Sequence, residues 1–196
     1  MNDTAFTHAF AATTGVQDFK LQGIDPAPPG YPSRACPDTH VTTSFSDDYE
    51  TRRRDYIDFV LKNPGPDSVK VFFPELVRIS EGSAGVHDRI LFAALDYIDQ
   101  RRDCADFVLN GVLRILYQFP DAASLPAGFL ERARNSVLGF KYWPDEPGID
   151  SMCYWTENHH LIFSTCELLA GQLYPEEIFT NSGHSGREKQ ARARPR

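Results

Sequence analysis

The chain reads as an all-α protein, and three observations say so. Apolar residues recur at spacings of three and four over several segments of 12 to 18 residues. Most of these segments are bounded by a proline or glycine break. No stretch alternates apolar and polar residues as a half-buried strand would. Together they predict about six helices joined by short loops, packed as successive helical hairpins.

Residues 1–46 come first and differ from the rest. The run from Asp25 to Ser33 carries four prolines, which lack an N–H and fix φ. An extended, Pro-rich arm is expected there, with disorder an equally open alternative. Ser46-Asp47-Asp48 then supplies a helix start with acids facing the positive end of the dipole. Tyr49, Tyr56, Phe59 and Val60 mark that helix, and Asn63-Pro64-Gly65-Pro66 ends it. Asp67 or Ser68 would cap a short second segment holding Val69, Phe72, Phe73, Leu76 and Ile79. Pro74 predicts a kink there, or a shorter helix starting near the proline.

After the Gly82–Gly85 break, Val86, Ile90, Leu91, Ala94, Leu95 and Ile98 share one helical face. Asp103 is the expected cap of the next helix, whose stripe is Phe107, Val108, Val112, Ile115, Leu116 and Phe119. Leu125-Pro126 opens another, with Phe129, Leu130, Ala133, Val137 and Leu138, ended by Gly139. Residues 140–154 form a long non-helical connection. Thr156 then caps a helix with Leu161, Ile162, Thr165, Leu168, Leu169 and Leu173 as its stripe. The domain is drawn over 47–186. Residues 187–196 are a basic tail that reads as the beginning of a further helix, so the chain is expected to be part of a longer protein.

Composition narrows the function classes. A chain of 196 residues with 41% hydrophobic residues is long enough for one domain with a real core. A net charge of −7 argues against a general nucleic-acid or anionic-membrane surface. No run approaches the roughly 20 apolar residues of a membrane helix. The first 15 residues lack the basic and apolar regions of a signal peptide, so a cytoplasmic protein is expected. Cys36, Cys104, Cys153 and Cys166 form no CxxC pair and read as incidental thiols. Glu157, His160, His184 and Asp150 match no zinc spacing, so neither a metal nor another cofactor is expected.

The candidate site is the polar start of the last long helix. Tyr142, Trp143, Tyr154 and Trp155 would make a flat platform for a ligand with apolar faces, such as a sugar ring. Asp145, Glu146, Asp150 and Glu157 add carboxylates of the kind glycoside hydrolysis uses in pairs. Asn158 can donate to a substrate carboxylate or carbonyl, and an imidazole can take a proton near neutral pH. Adjacent helical residues point about 100° apart, so Asn158 and His159 are placed inward and His160 outward. His184 sits between Gly183 and Gly186 in a loop able to close over a ligand or hold an anion through its N–H groups.

The run GFKYWPDEPGIDSMCYWTENHHLIFSTCELLAGQLYPEEIFTNSGHSGRE, from Gly139 to Glu188, resembles a group of bacterial α/α-helical proteins. Those share a DEPG…WxENH…LAGQL…NSG signature within a longer chain. The group is in turn similar to the α/α-toroid polysaccharide lyases and glycosidases. The resemblance implies a partial toroid, an incomplete barrel of helical hairpins, acting on a poly- or oligosaccharide. It implies β-elimination in which Asn158 neutralises a uronate carboxylate, His159 is the base, and Tyr154 or Tyr142 the acid. Trp155, Tyr142, Trp143, Glu157, Asp150 and His184 would bind the substrate. The other reading is a non-catalytic helical scaffold or interaction module, with His159 packed in the core.

Overall fold

The computed structural model describes residues 48–63 and 72–194. The arm at 1–46, Cys36 and the proposed cap at Asp67 or Ser68 lie outside the described residues. Residues 47–196 cluster as one compact unit. Among the described residues the regular elements are helices: α1 (Tyr49–Lys62), α2 (Phe73–Ser80), α3 (Asp88–Asp99), α4 (Ala105–Gln118), α5 (Phe129–Gly139), α6 (Glu157–Leu173) and α7 (Gly186–Ala193). Among the described residues the β geometry is a single bridge between Ile178 and Ser185. No described helix is long and apolar enough to cross a membrane.

Local chemistry sets the helix ends. The Asp48 carboxylate accepts from the N–H groups of Glu50 and Thr51 at 2.9 and 3.1 Å, filling donors that a helix start leaves open. Pro74 lies in the first turn of α2, so the shorter helix forms and no kink is needed. Gly128, at φ 78°, turns the chain into α5 at Phe129, later than Leu125-Pro126 suggested. Thr156 caps α6 as expected. Ser185 and Glu188 form a reciprocal capping box for α7. The boundary drawn at 186/187 therefore falls inside a helix of the folded body.

Helix α4 is central, packing against α2, α3, α5 and α6. Leu91, Leu95 and Ile98 of α3, Leu109, Val112 and Leu113 of α4, and Phe129 and Val137 of α5 are almost fully buried. Phe163 of α6 and Phe140 join this core.

Two expected stripes differ from those observed. On α1, Tyr49, Tyr56 and Phe59 are exposed and Val60 is buried. On α6 the inner face is His159, Phe163, Cys166, Glu167, Ala170 and Gly171, while Leu161 is 70% exposed. The reason is α7, which lies close against α6. A Cβ on Gly171 would sit 2.5 Å from the Gly186 carbonyl oxygen. Small residues are needed on that face, so the leucines lie beside it.

A buried ion cluster fastens α7. Lys189, fully buried, pairs with Glu146 of the 140–156 connection and lies 3.3 Å from Glu167 of α6. Its ammonium sits over the Tyr142 ring at 4.7 Å and the Phe179 ring at 5.6 Å. Glu146 also accepts from the Tyr142 N–H and the Asn181 amide, each at 3.2 Å. A second buried pair, Arg78 with Glu75, holds α1: Arg78 donates to the carbonyls of Val60 and Asn63.

Candidate functional site

The start of α6 carries the residues singled out in the sequence, and the structure distributes them over separate surroundings. His159 faces inward and is 8% exposed. Asn158, placed inward by the sequence reading, is exposed, as is His160. The inner face of α6 runs through 159, 163 and 166, and Asn158 lies about 100° away from it.

Tyr142 is fully buried and donates its hydroxyl to the Val137 carbonyl at 2.9 Å. Burial, with the nearby Cys166, Glu146 and Glu167, holds its proton firmly. Tyr154 stacks on Phe163 with ring centres 4.6 Å apart. Burial first, then Asp150 and Glu146, push its acidity well below that of an ordinary tyrosine. These two tyrosines anchor the connection to the core and do not form an open platform with the tryptophans.

Asp150 is 2.6 Å from the Lys141 ammonium and accepts from the Met152 N–H at 3.0 Å. Glu146 belongs to the Lys189 cluster. Both acids are occupied in holding the connection in place. The loop around His184 closes on itself: the N–H groups of Phe179, Gly183 and Gly186 donate to the carbonyls of His184, Phe179 and Glu177 at 2.8 to 3.0 Å. Its glycine N–H donors are therefore taken, against the expectation of an anion loop.

What remains at the surface is a groove of about 530 Å³ lined by Trp143, Glu157, His160, Leu161 and Ser164. Trp143 and His160 meet edge to face at 5.3 Å. Trp155 is 79% exposed.

On the inner side of α6 is a chemically richer group. His159 Nδ1 lies 2.7 Å from Asp106 Oδ2, a fully buried carboxylate in the first turn of α4. The imidazole meets Phe107 edge to face at 5.3 Å. Burial pushes the Asp106 carboxyl up from its ordinary value, and the His159 bond and charge oppose that rise. The Cys104 sulfur and an Asp103 carboxylate oxygen both lie within 4.8 Å of a His159 ring nitrogen and of each other. The Cys104 thiol donates to Asp103 Oδ2 at 3.4 Å.

The local fold brings these groups together. The Tyr97 hydroxyl donates to the Asp103 carbonyl at 2.6 Å, and Cys104 then takes a left-handed conformation at φ 65°, ψ 17°. For a residue with a Cβ that conformation is strained by about 1–2 kcal/mol and concentrates at functional sites. Cys104, and not the expected Asp103, therefore occupies the N-cap position of α4. Beside it is a small apolar pocket of about 220 Å³ lined by Phe73, Phe107 and Val108.

Sequence reasoning found His159 and missed Cys104 and Asp106. The signal was present in part. Asp106 shares a helical face with Leu109, Leu113 and Leu116, all buried, so a carboxylate occupied a core position. Its partner lay 53 residues away. Cys166, also on the inner face, accounts for itself differently: burial, with Asp106 nearby, raises its thiol far above the ordinary range, as in an inert core cysteine.

No family model matches the chain, and no curated protein and no solved structure is similar to it.

Proposed function

We propose that the protein is a thiol-dependent acyl-transfer or hydrolytic enzyme, with Cys104 as nucleophile, His159 as proton carrier and Asp106 as the group that orients the imidazole. The observation that carries this reading is the 2.7 Å bond from His159 Nδ1 to the buried Asp106. It engages Nδ1, so Nε2 is the nitrogen assigned to the thiol proton, with the sulfur within 4.8 Å of a ring nitrogen. A helix N-terminus favours the thiolate of a cysteine placed there, and Cys104 occupies that position on α4. The sequence of steps is the general one for a paired nucleophile and base. The thiol proton passes to Nε2 as sulfur bonds to the acyl carbon. The imidazolium returns that proton to the leaving group, and water then cleaves the thioester. Phe73, Phe107 and Val108 beside the sulfur suit an acyl group with an apolar or aromatic substituent.

The test is a panel of activated aryl esters and thioesters differing in acyl group. Hydrolysis by the full chain should show an initial burst and an acyl adduct on Cys104 by mass spectrometry. The Cys104→Ser variant should lose about 10²-fold or more in rate, the usual worth of such a group. Equal rates in both proteins would dispose of the assignment.

A second reading rests on the groove at Trp143 and His160 and on exposed Trp155. In it this surface binds a saccharide, as the resemblance of residues 139–188 to α/α-toroid polysaccharide enzymes implies. Asn158 and Glu157, both exposed on the same turn, would then supply polar contacts to the sugar. Titration with acidic and neutral oligosaccharides should quench tryptophan fluorescence, and Trp155→Ala should remove most of the change. Unaltered emission across the panel would retire the saccharide reading.

A further inference from the structure

The thiol mechanism leaves Asp103 without a task. Its carboxylate accepts from the Cys104 thiol at 3.4 Å. We propose that Asp103, Cys104 and His159 bind one Zn²⁺ ion, and that the bound metal reversibly masks Cys104. This inference rests on the Cys104–His159 pairing of the proposed catalytic site.

Three features support it. The three ligand atoms lie within 4.8 Å of one another. Tetrahedral zinc, with bonds of about 2.0–2.3 Å, needs ligand separations of roughly 3.3–3.8 Å. Asp103 Oδ2 and Cys104 Sγ, 3.4 Å apart, already fall in that range, and exposed Asp103 has room to move its carboxylate toward the imidazole. Second, the ligand types are a thiolate, an imidazole and a carboxylate. A soft sulfur with a nitrogen selects zinc over magnesium or calcium, which prefer oxygen alone. Three protein ligands leave a fourth position for water. Third, the outer shell is already built. Zinc-bound histidines commonly donate their second ring N–H to a carboxylate, which fixes the tautomer and aims the ring. Fully buried Asp106 holds His159 Nδ1 in that way, so Nε2 is the ring nitrogen assigned to the zinc.

The experiment uses the full chain, stripped with a chelator and exchanged into metal-free buffer. Zinc is titrated against a chromophoric competitor, and carboxamidomethylation of Cys104 is followed in parallel with and without zinc. The expected result is one zinc per chain whose binding is lost in Cys104→Ser and weakened at least tenfold in Asp103→Asn. Asp106→Asn should weaken binding by about 10–100-fold, the usual effect of an outer-shell change. Zinc should slow alkylation of Cys104 at least tenfold and leave Cys153 unaffected. Circular dichroism identifies any variant that has lost the fold, and cobalt provides an independent reading through its thiolate charge-transfer band. Overturning results are a wild type that binds no zinc at micromolar concentration, a stoichiometry unchanged in Cys104→Ser, or an Asp103→Asn protein with unaltered affinity. Failure of the catalytic reading is distinguishable. It would appear in the metal-free arm as Cys104 reacting no faster than Cys153, whatever the zinc titration gives.

Discussion

Replacing Lys189 by methionine should destabilise the folded unit by about 3–5 kcal/mol, the usual consequence of removing one partner from a buried ion group. Lys189 is the cation between Glu146 and Glu167, and all three side chains are almost wholly removed from water. Methionine fills similar volume, so the loss is electrostatic: two carboxylates are left buried without their countercharge. For a unit of this size the melting temperature should fall by roughly 10–15 °C. Changing Glu146 and Glu167 to glutamine in the same protein should recover much of that loss, because the stranded charges go with the lysine. A Lys189→Met protein that melts within about 2 °C of the parent would show that α7 is held by apolar contacts alone.

The second large effect concerns chemistry. At pH 6 an ordinary thiol is less than about 1% thiolate, since such groups titrate near 8.5. If His159 takes the Cys104 proton, the wild-type sulfur should alkylate about 10–100-fold faster at that pH than a cysteine without such a partner. His159→Gln, which keeps a donor toward Asp106, should erase the advantage with little loss of stability. Asp106→Asn should reduce it by about tenfold or more, because an amide does not stabilise the imidazolium as a carboxylate does. Cys153, half-buried in the 140–156 connection, serves as the internal reference within each protein.

The helices were legible because their cues are local. Pro74, Thr156, and the apolar periods from Ile90 to Ile98 and from Val108 to Leu116 each act within a few residues of themselves. The all-α fold follows from them. Helix faces were less legible where a partner decides which side is buried. Five leucines and isoleucines of α6 marked one face, yet the close approach of α7 at Gly171 required another. The long connection shows the same limit. Its tyrosines and carboxylates looked like a binding surface, and the interior took Tyr142, Tyr154 and Glu146 for packing and ion pairing. Buried lysines are rare enough that Lys189 read only as part of a basic tail beginning a further helix. The candidate site was legible at His159 alone, because its partners come from the turn before α4 and the first turn of α4, more than fifty residues earlier. What places Cys104 there is a left-handed backbone at a non-glycine residue, which no local pattern announces.

In the proposed mechanism Cys104, His159 and Asp106 act as one chemical unit. The most direct measurement is the rate of Cys104 carboxamidomethylation from pH 5 to 9, read by mass spectrometry of its peptide in metal-free wild type and His159→Gln. Wild-type reactivity should persist to about pH 6, and that of the variant should rise only toward about pH 8.5, as for an ordinary thiol. Coincident profiles for the two proteins, both rising near that higher pH, would contradict it.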